Sequence, residues 1–187
     1  MDRKRFALSL PDEERRYLLD LARSRISLVL HGGKVDFPPP PPGILNEKMG
    51  AFVTLKKRGH LRGCIGRLIG SDPLYVTVGD MAEASAFHDS RFSPVSVDEL
   101  PELDVEISVM GPITKCKDLS AIEVGRHGLI AQKGSRRGLL LPQVAVEWKW
   151  DREVFLGQTC RKAGLPTDAW RSPDVEIYWF ESVVIEK

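Results

Sequence analysis

Cys64 sits in the run His60-Leu61-Arg62-Gly63-Cys64-Ile65-Gly66-Arg67, a thiol flanked at close range by glycines, arginines and a histidine. The thiolate is the nucleophilic form of cysteine, and nearby cations and backbone N–H groups favour it. On an extended segment Arg62 falls on the same face as Cys64, at about 7 Å from ~3.3 Å per residue. Arg67 and His60 are also near in sequence. Gly63 and Gly66 leave room for a ligand to approach the main chain. Two readings stand side by side: a catalytic or redox-active thiol, or a small apolar residue packed in a tight hairpin, since free cysteine is among the most buried residue types.

Few other residues offer comparable chemistry. Asp89, His88 and Glu147 are candidate acid or base groups, though each such residue is more often a surface or salt-bridged one. Gln143, after Pro142, either orients a ligand through its amide or pairs with strand backbone. Metal binding is not expected, because His60 and Cys64 lack a second cluster to complete a tetrahedral site. Cys64, Cys116 and Cys160 contain no Cys-x-x-Cys, which fits neither a disulfide framework nor a zinc ribbon and suits reduced thiols. Cys160 and Trp148, Trp150, Trp170 and Trp179 are expected to pack in a core or between lobes. Two basic turns, Lys56-Lys57-Arg58 and Lys133 to Arg137, would form a phosphate-binding strip if they lay together.

These residues need elements to hold them. Pro11, Asp12, Glu13 and Glu14 suit the first turn of a helix capped by Ser9, and Leu18, Leu21, Ala22 and Val29, with Leu19 and Ile26, give it an apolar stripe. Gly32 and Gly33 end it, and Pro38 to Pro42 read either as a stiff connector or as a ligand for a proline-binding domain. Residues 51–55 form a strand, 56–59 a turn, and 60–66 a returning antiparallel strand. A helix follows, capped by Asp72 and begun by Pro73, whose small residues Ala82, Ala84, Ser85 and Ala86 let another element come close. Residues 97–100 suit a short helical turn, and Val105, Ile107 and Val109 alternate as in a half-buried strand. A second hairpin spans 128–132 and 138–141 around a basic turn. Periodicity leaves 142–150 undefined. Asp151 caps a helix ending near Gly164, and a strand covers 175–180, with 183–185 extending or re-entering a sheet. Hairpins and helices without β-α-β spacing predict an α+β fold with mainly antiparallel sheets and packed helices.

The 187 residues suffice for one domain or two small lobes, and the 42% hydrophobic and 28% charged content is that of a globular protein. A net charge of +1 supplies no global field for nucleic acid or membrane. No run reaches the ~18 apolar residues of a membrane helix, and the amino terminus, Met1 to Arg5, lacks the apolar core of a signal peptide. The expectation is a cytoplasmic protein.

The motifs form an ordered series: Leu61-Arg62-Gly63-Cys64-Ile65-Gly66; Asp89-x-Arg91-Phe92-x-Pro94 leading to Glu99-Leu100; Ile107-Ser108-Val109; Gly138 to Ala145 with Glu147 and Trp150; and Cys160-x-Lys162-Ala163-Gly164-Leu165-Pro166 with Trp170. This series resembles the AMMECR-type domain, the AmmeMemoRadiSam system protein A family, over most of the chain. The resemblance implies a single α+β domain of two unequal lobes over 1–187 with a cleft between the lobes. It also implies a family without an established biochemical activity, associated with a Memo-type protein and a radical S-adenosylmethionine protein. Ser90 and Ser93 stand where prolines are frequent in that family, implying a looser loop, and Arg67 stands where a small polar residue is expected.

The functional expectation is a cleft-binding accessory protein that recognises a small anionic ligand, with Arg62, Gly63, Gly66, Asp89, Arg91, Gln143 and Glu147 as binding residues. Cys64 is its candidate catalytic residue should it act as a thiol-dependent enzyme. No cofactor is expected. The alternatives are a non-catalytic protein-interaction module and, behind it, a nucleic-acid-binding protein.

Overall fold

The computed structural model describes residues 8–33 and 39–186, in two compact units: Ser9–Met110 with residues 183–186, and Gly111–Ser182 with residue 8. The charged amino terminus and the segment from Lys34 through Pro38, which begins the proline run, lie outside the described residues.

In the first unit, helix α1 (Asp12–Leu30) carries Asp12, Glu13 and Glu14 in its first turn, where they face the positive end of the helix dipole. Pro11 rather than Ser9 takes the capping position, and no side chain caps the helix. Leu18, Leu21, Ala22 and Ile26 are buried, whereas Val29 is half-exposed and lies off the core face. Strands β1 (Gly50–Lys57) and β2 (His60–Arg67) form an antiparallel hairpin. Its turn is only Arg58 and Gly59, with φ of 52° and 77°, the left-handed pair that a tight hairpin demands. Helix α2 (Leu74–Phe87) follows Pro73, and strand β3 (Leu103–Met110) lies antiparallel to β1, giving the order β2-β1-β3. The expected short helical turn is a 3-10 segment, Val97–Glu102.

Helix α2 packs on β1 and β2, and α1 packs on α2 and β3. The close approach expected from the small residues of α2 occurs at Gly63. A Cβ there would lie 2.1 Å from the Ser85 carbonyl oxygen. Val53, Leu55, Leu74, Val78, Ala82, Ile107 and Val109 are fully buried.

The second unit contains β4 (Thr114–Lys115), β5 (His127–Lys133), β6 (Arg136–Leu140), α3 (Pro142–Glu147), α4 (Arg152–Lys162) and β7 (Glu176–Ile185), the last running on past Ser182. Its strands pair antiparallel, with β5 between β6 and β7, and β4 beside β7. The β5–β6 turn is just Gly134-Ser135, so Lys133, Arg136 and Arg137 belong to strands. Asp151 caps α4 by accepting from the Val154 N–H at 2.8 Å, and Gly164 ends the helix at φ 71°. Periodicity could not define α3 because it is six residues long and begins at a proline. Leu129, Ala131, Phe155, Leu156, Cys160 and Ile177 form the core, with Trp150, Trp170 and Trp179 packed against it. Trp148 does not join them: it is 68% exposed beside Trp150, on a chain that turns through the positive φ of Lys149.

The chain is thus α+β with antiparallel sheets. No helix among the described residues is long and apolar enough to cross a membrane.

Candidate functional site

Within the first unit β2 pairs with β1 alone, so its other edge presents unpaired main-chain groups. At Cys64 the loop after α2 satisfies both of them. Asp89 Oδ2 accepts from the Cys64 N–H at 2.9 Å, and Arg91 Nη2 donates to the Cys64 carbonyl at 3.1 Å. Asp89 and Arg91 also hold each other: Arg91 Nε donates to Oδ1 at 2.9 Å, Nη2 to Oδ2 at 2.7 Å, and the Arg91 N–H to Oδ1 at 3.1 Å. The pair takes the place of a neighbouring strand. The Arg91 guanidinium, helped by the Cys64 amide, holds the Asp89 carboxyl well below the usual carboxylate range. Asp89 in turn raises the Arg91 pKa.

The loop carrying this pair is tied down despite its serines, with Val95 N–H donating to the Ala86 carbonyl at 2.9 Å and Phe92 N–H to the Asp89 carbonyl at 3.0 Å. Arg67 pairs with Asp72, at 3.5 Å.

Register decides what stands beside the thiol. Leu55 faces Gly63, yet Lys56 faces Leu61, so Arg62 is an extra residue in β2. Beyond it the alternation inverts, and Leu61 shares the face of Cys64. Arg62 turns instead to the 3-10 segment, where Nε and Nη2 donate to the two Glu99 oxygens at 3.0 and 2.9 Å. Glu99 also accepts from Lys57 and from the Ser96 N–H, each at 3.1 Å. Chiefly through Arg62, its carboxyl is pushed down to about 2. Arg62 is therefore no free cation beside the thiol: it is the extra residue of a β-bulge, and its guanidinium is engaged by Glu99 and the Pro94 carbonyl.

Thr54 is the cross-strand partner of Cys64. Its Oγ1 donates to Cys64 Sγ at 3.3 Å, and Cys64 is half-buried. On the opposite side of the hairpin, the Ser85 hydroxyl of α2 accepts from the Ile65 N–H at 2.8 Å and donates to the Val53 carbonyl at 2.8 Å. A helix side chain is thus inserted between β1 and β2 next to the cysteine.

The glycines have other work than admitting a ligand. A Cβ at Gly63 would strike the Ser85 carbonyl, and one at Gly66 would lie 2.2 Å from the Phe52 ring. The space expected at both is filled from within the unit. Gln143 and Glu147 belong to the second unit on α3, the first half-buried and the second exposed. His60 and His88 are exposed. Among the described residues no group of three or more His, Cys, Asp or Glu could hold a metal ion.

One buried histidine escaped the sequence reading. His127 Nδ1 lies 3.0 Å from the Glu123 N–H, which can only donate, so a neutral ring carries its proton on Nε2. Burial, with Arg126 nearby, pushes its pKa down, and the ring lies 4.7 Å from that of Trp179.

The sequence pattern that defines the AMMECR1 family matches residues 19–185. A protein of Methanothermobacter thermautotrophicus is 42% identical over 185 residues, 95% of this chain and 96% of the relative. Protein MK0488 of Methanopyrus kandleri is 45% identical over 184 residues, covering 94% of this chain and 89% of its own. Among solved structures, the uncharacterized protein PH0010 from Pyrococcus horikoshii has the same fold. Its TM-score is 0.82 at 42% identity, over 94% of this chain and 92% of that one.

Proposed function

We propose that this chain, which belongs to the AMMECR1 family, binds a small anionic group at the Cys64 edge of β2, with Arg91 as the recognising cation. The observation that carries this reading is the orientation of Arg91. Asp89 and the Cys64 carbonyl hold Nε and Nη2, while the side chain remains 54% exposed. Nη1 is thereby left without a hydrogen-bond partner among the described residues on a guanidinium already fixed in place, so little side-chain entropy is lost on binding. Arg62 is less suited to the same task, because its side chain is only 13% exposed behind Glu99 and the Pro94 carbonyl.

A specific contact favours a second reading, covalent chemistry at Cys64: the Thr54 hydroxyl donates to the sulfur of a thiol that is only half-buried. The resemblance that named the family supports Memo-like and radical-SAM proteins as partners, with the anionic group on a small molecule or on a partner's modified side chain. A non-catalytic interaction module would use the same surface without the thiol, and pull-down of the two partners with Cys64→Ala tests that reading.

The binding reading is tested with inorganic phosphate and acetate as probes, following the Cys64, Ile65 and Arg91 amide resonances. Saturable shifts confined to these residues, lost in Arg91→Ala, are expected. Shifts that persist unchanged in Arg91→Ala, or none in the wild type, would overturn it.

A further inference from the structure

We propose that the free edge of β6 is a docking site for an extended acidic peptide, which joins the second unit's sheet as an added antiparallel strand. This surface is independent of the Cys64 site. β6 pairs on one side with β5 and ends the strand order on the other. A two-residue turn makes Lys133 and Arg136 a mutually hydrogen-bonded pair, so Arg136, Gly138 and Leu140 direct their main-chain groups inward to β5. Arg137 and Leu139 direct theirs outward, and among the described residues nothing bonds to them. Four main-chain hydrogen bonds are therefore on offer, the currency of strand addition.

Charge selects the occupant. Lys133 is held by Asp174 at 2.6 Å, but Arg136 reaches only the Gly164 carbonyl at 3.4 Å. Arg137 is exposed, with no ion pair among the described residues. Two copies of this edge would bring like charges together, which disfavours self-pairing. A partner strand with neighbouring carboxylates would meet Arg136 on one face and Arg137 on the other, because successive side chains alternate. Two positions nearer its amino terminus it would place an apolar side chain beside Leu139. The opposite face of β6 is closed, since a Cβ at Gly138 would lie 2.2 Å from the Ala163 nitrogen of the α4 C-terminus.

The probe is the heptapeptide Gly-Thr-Val-Thr-Glu-Glu-Gly, labelled with fluorescein and read by anisotropy. Saturable binding is expected, and N-methylation of its valine and first glutamate should abolish it, because those amides face Leu139 and Arg137. Leu139→Pro removes an outward donor that β5 does not use and should weaken binding about tenfold or more, the equivalent of one good hydrogen bond. Should that variant fail to fold, Arg137→Glu keeps the test intact. It should lose the acidic peptide and gain a version carrying two lysines in place of the glutamates. Equal binding of the N-methylated peptide, indifference to Arg137→Glu, or no saturation up to about millimolar protein would overturn the proposal. So would dimerisation of the chain abolished by Leu139→Pro, which would make a second copy the occupant.

Discussion

Thr54 and Cys64 face each other across β1 and β2, Oγ1 3.3 Å from Sγ, because Arg62 is an extra residue in the second strand. Without that bulge, a hairpin closed by Lys57 and His60 would set Thr54 opposite Gly63, and the sulfur would have no hydroxyl beside it. The register, more than the motif's arginines, defines the thiol's surroundings. Thr54→Val keeps the shape and removes the donor. Alkylation of Cys64 by iodoacetamide at neutral pH is expected to slow several-fold, by about 3–10 times for one lost hydrogen bond to sulfur. Cys64→Ser identifies the reactive site by mass, and an unchanged rate in Thr54→Val would show that the contact does not influence reactivity.

The other cysteines set the scale for that measurement. Cys160 is fully buried and Cys116 nearly so, and burial pushes both thiols up. Both should resist iodoacetamide in the native chain and react only as it opens in urea. If Cys116 or Cys160 is modified before Cys64 in the absence of denaturant, the assignment of Cys64 as the accessible thiol fails.

Gly63 supports the hairpin against α2. With a prospective Cβ 2.1 Å from a helix carbonyl, neither a flexible side chain nor a rotamer change can relieve the clash, and the helix must move. Gly63→Ala should destabilise the chain by about 1–3 kcal/mol, the usual cost of overpacking, read from urea unfolding midpoints. A variant as stable as the wild type would mean that α2 does not sit this close.

The sequence carried the local part of this architecture. Asp151 as a cap, the stop at Gly164 and the turn of β1–β2 rest on near-neighbour chemistry and read directly from residue type. Asp89 and Arg91, two apart, are legible as charged partners, but their target, Cys64, lies 25 and 27 residues away. A bulge leaves no mark on composition, so strict alternation does not reveal that Arg62 is an extra residue in β2. Trp148 was assigned to packing by type alone, whereas the backbone turn at Lys149 leaves it in solvent.

Acid should weaken the fold in a definite window. Asp89 and Glu99 bind protons more weakly folded than unfolded, so each contributes stability that is complete above its unfolded value, about 3.9 and 4.3, and declines below it. For Glu99 the loss continues until pH passes about 2. His127, depressed by burial, adds an earlier decline that begins below its unfolded value of about 6.5. Glu14, raised by burial, acts in the opposite sense near its own titration. Urea midpoints at pH 7, 5, 4 and 3, with Glu99→Gln and His127→Gln as controls, separate these contributions. A midpoint in Glu99→Gln that falls as steeply as the wild type below about pH 4 would remove Glu99 from the account.

Ser85 presents the most demanding test, because its hydroxyl stands where a direct hydrogen bond between β1 and β2 would otherwise form. It is 1% exposed, accepts from Ile65 and donates to Val53. Ser85→Ala leaves a buried donor and acceptor facing a gap. If the strands cannot close, the penalty is that of unsatisfied buried groups, about 1–3 kcal/mol, and exchange of the Ile65 amide should quicken beyond the global effect. If they can close, the amide finds the Val53 carbonyl and the loss is small. Gly63 and Ser85 touch through the same turn of α2, and this decides between the outcomes: strand closure there would drive Gly63 into the helix carbonyl. The full penalty is expected, with Cys64 alkylation changing alongside it, since the strand that carries the thiol shifts. A Ser85→Ala chain with wild-type stability and wild-type Ile65 exchange would show that the hydroxyl does not hold the hairpin apart.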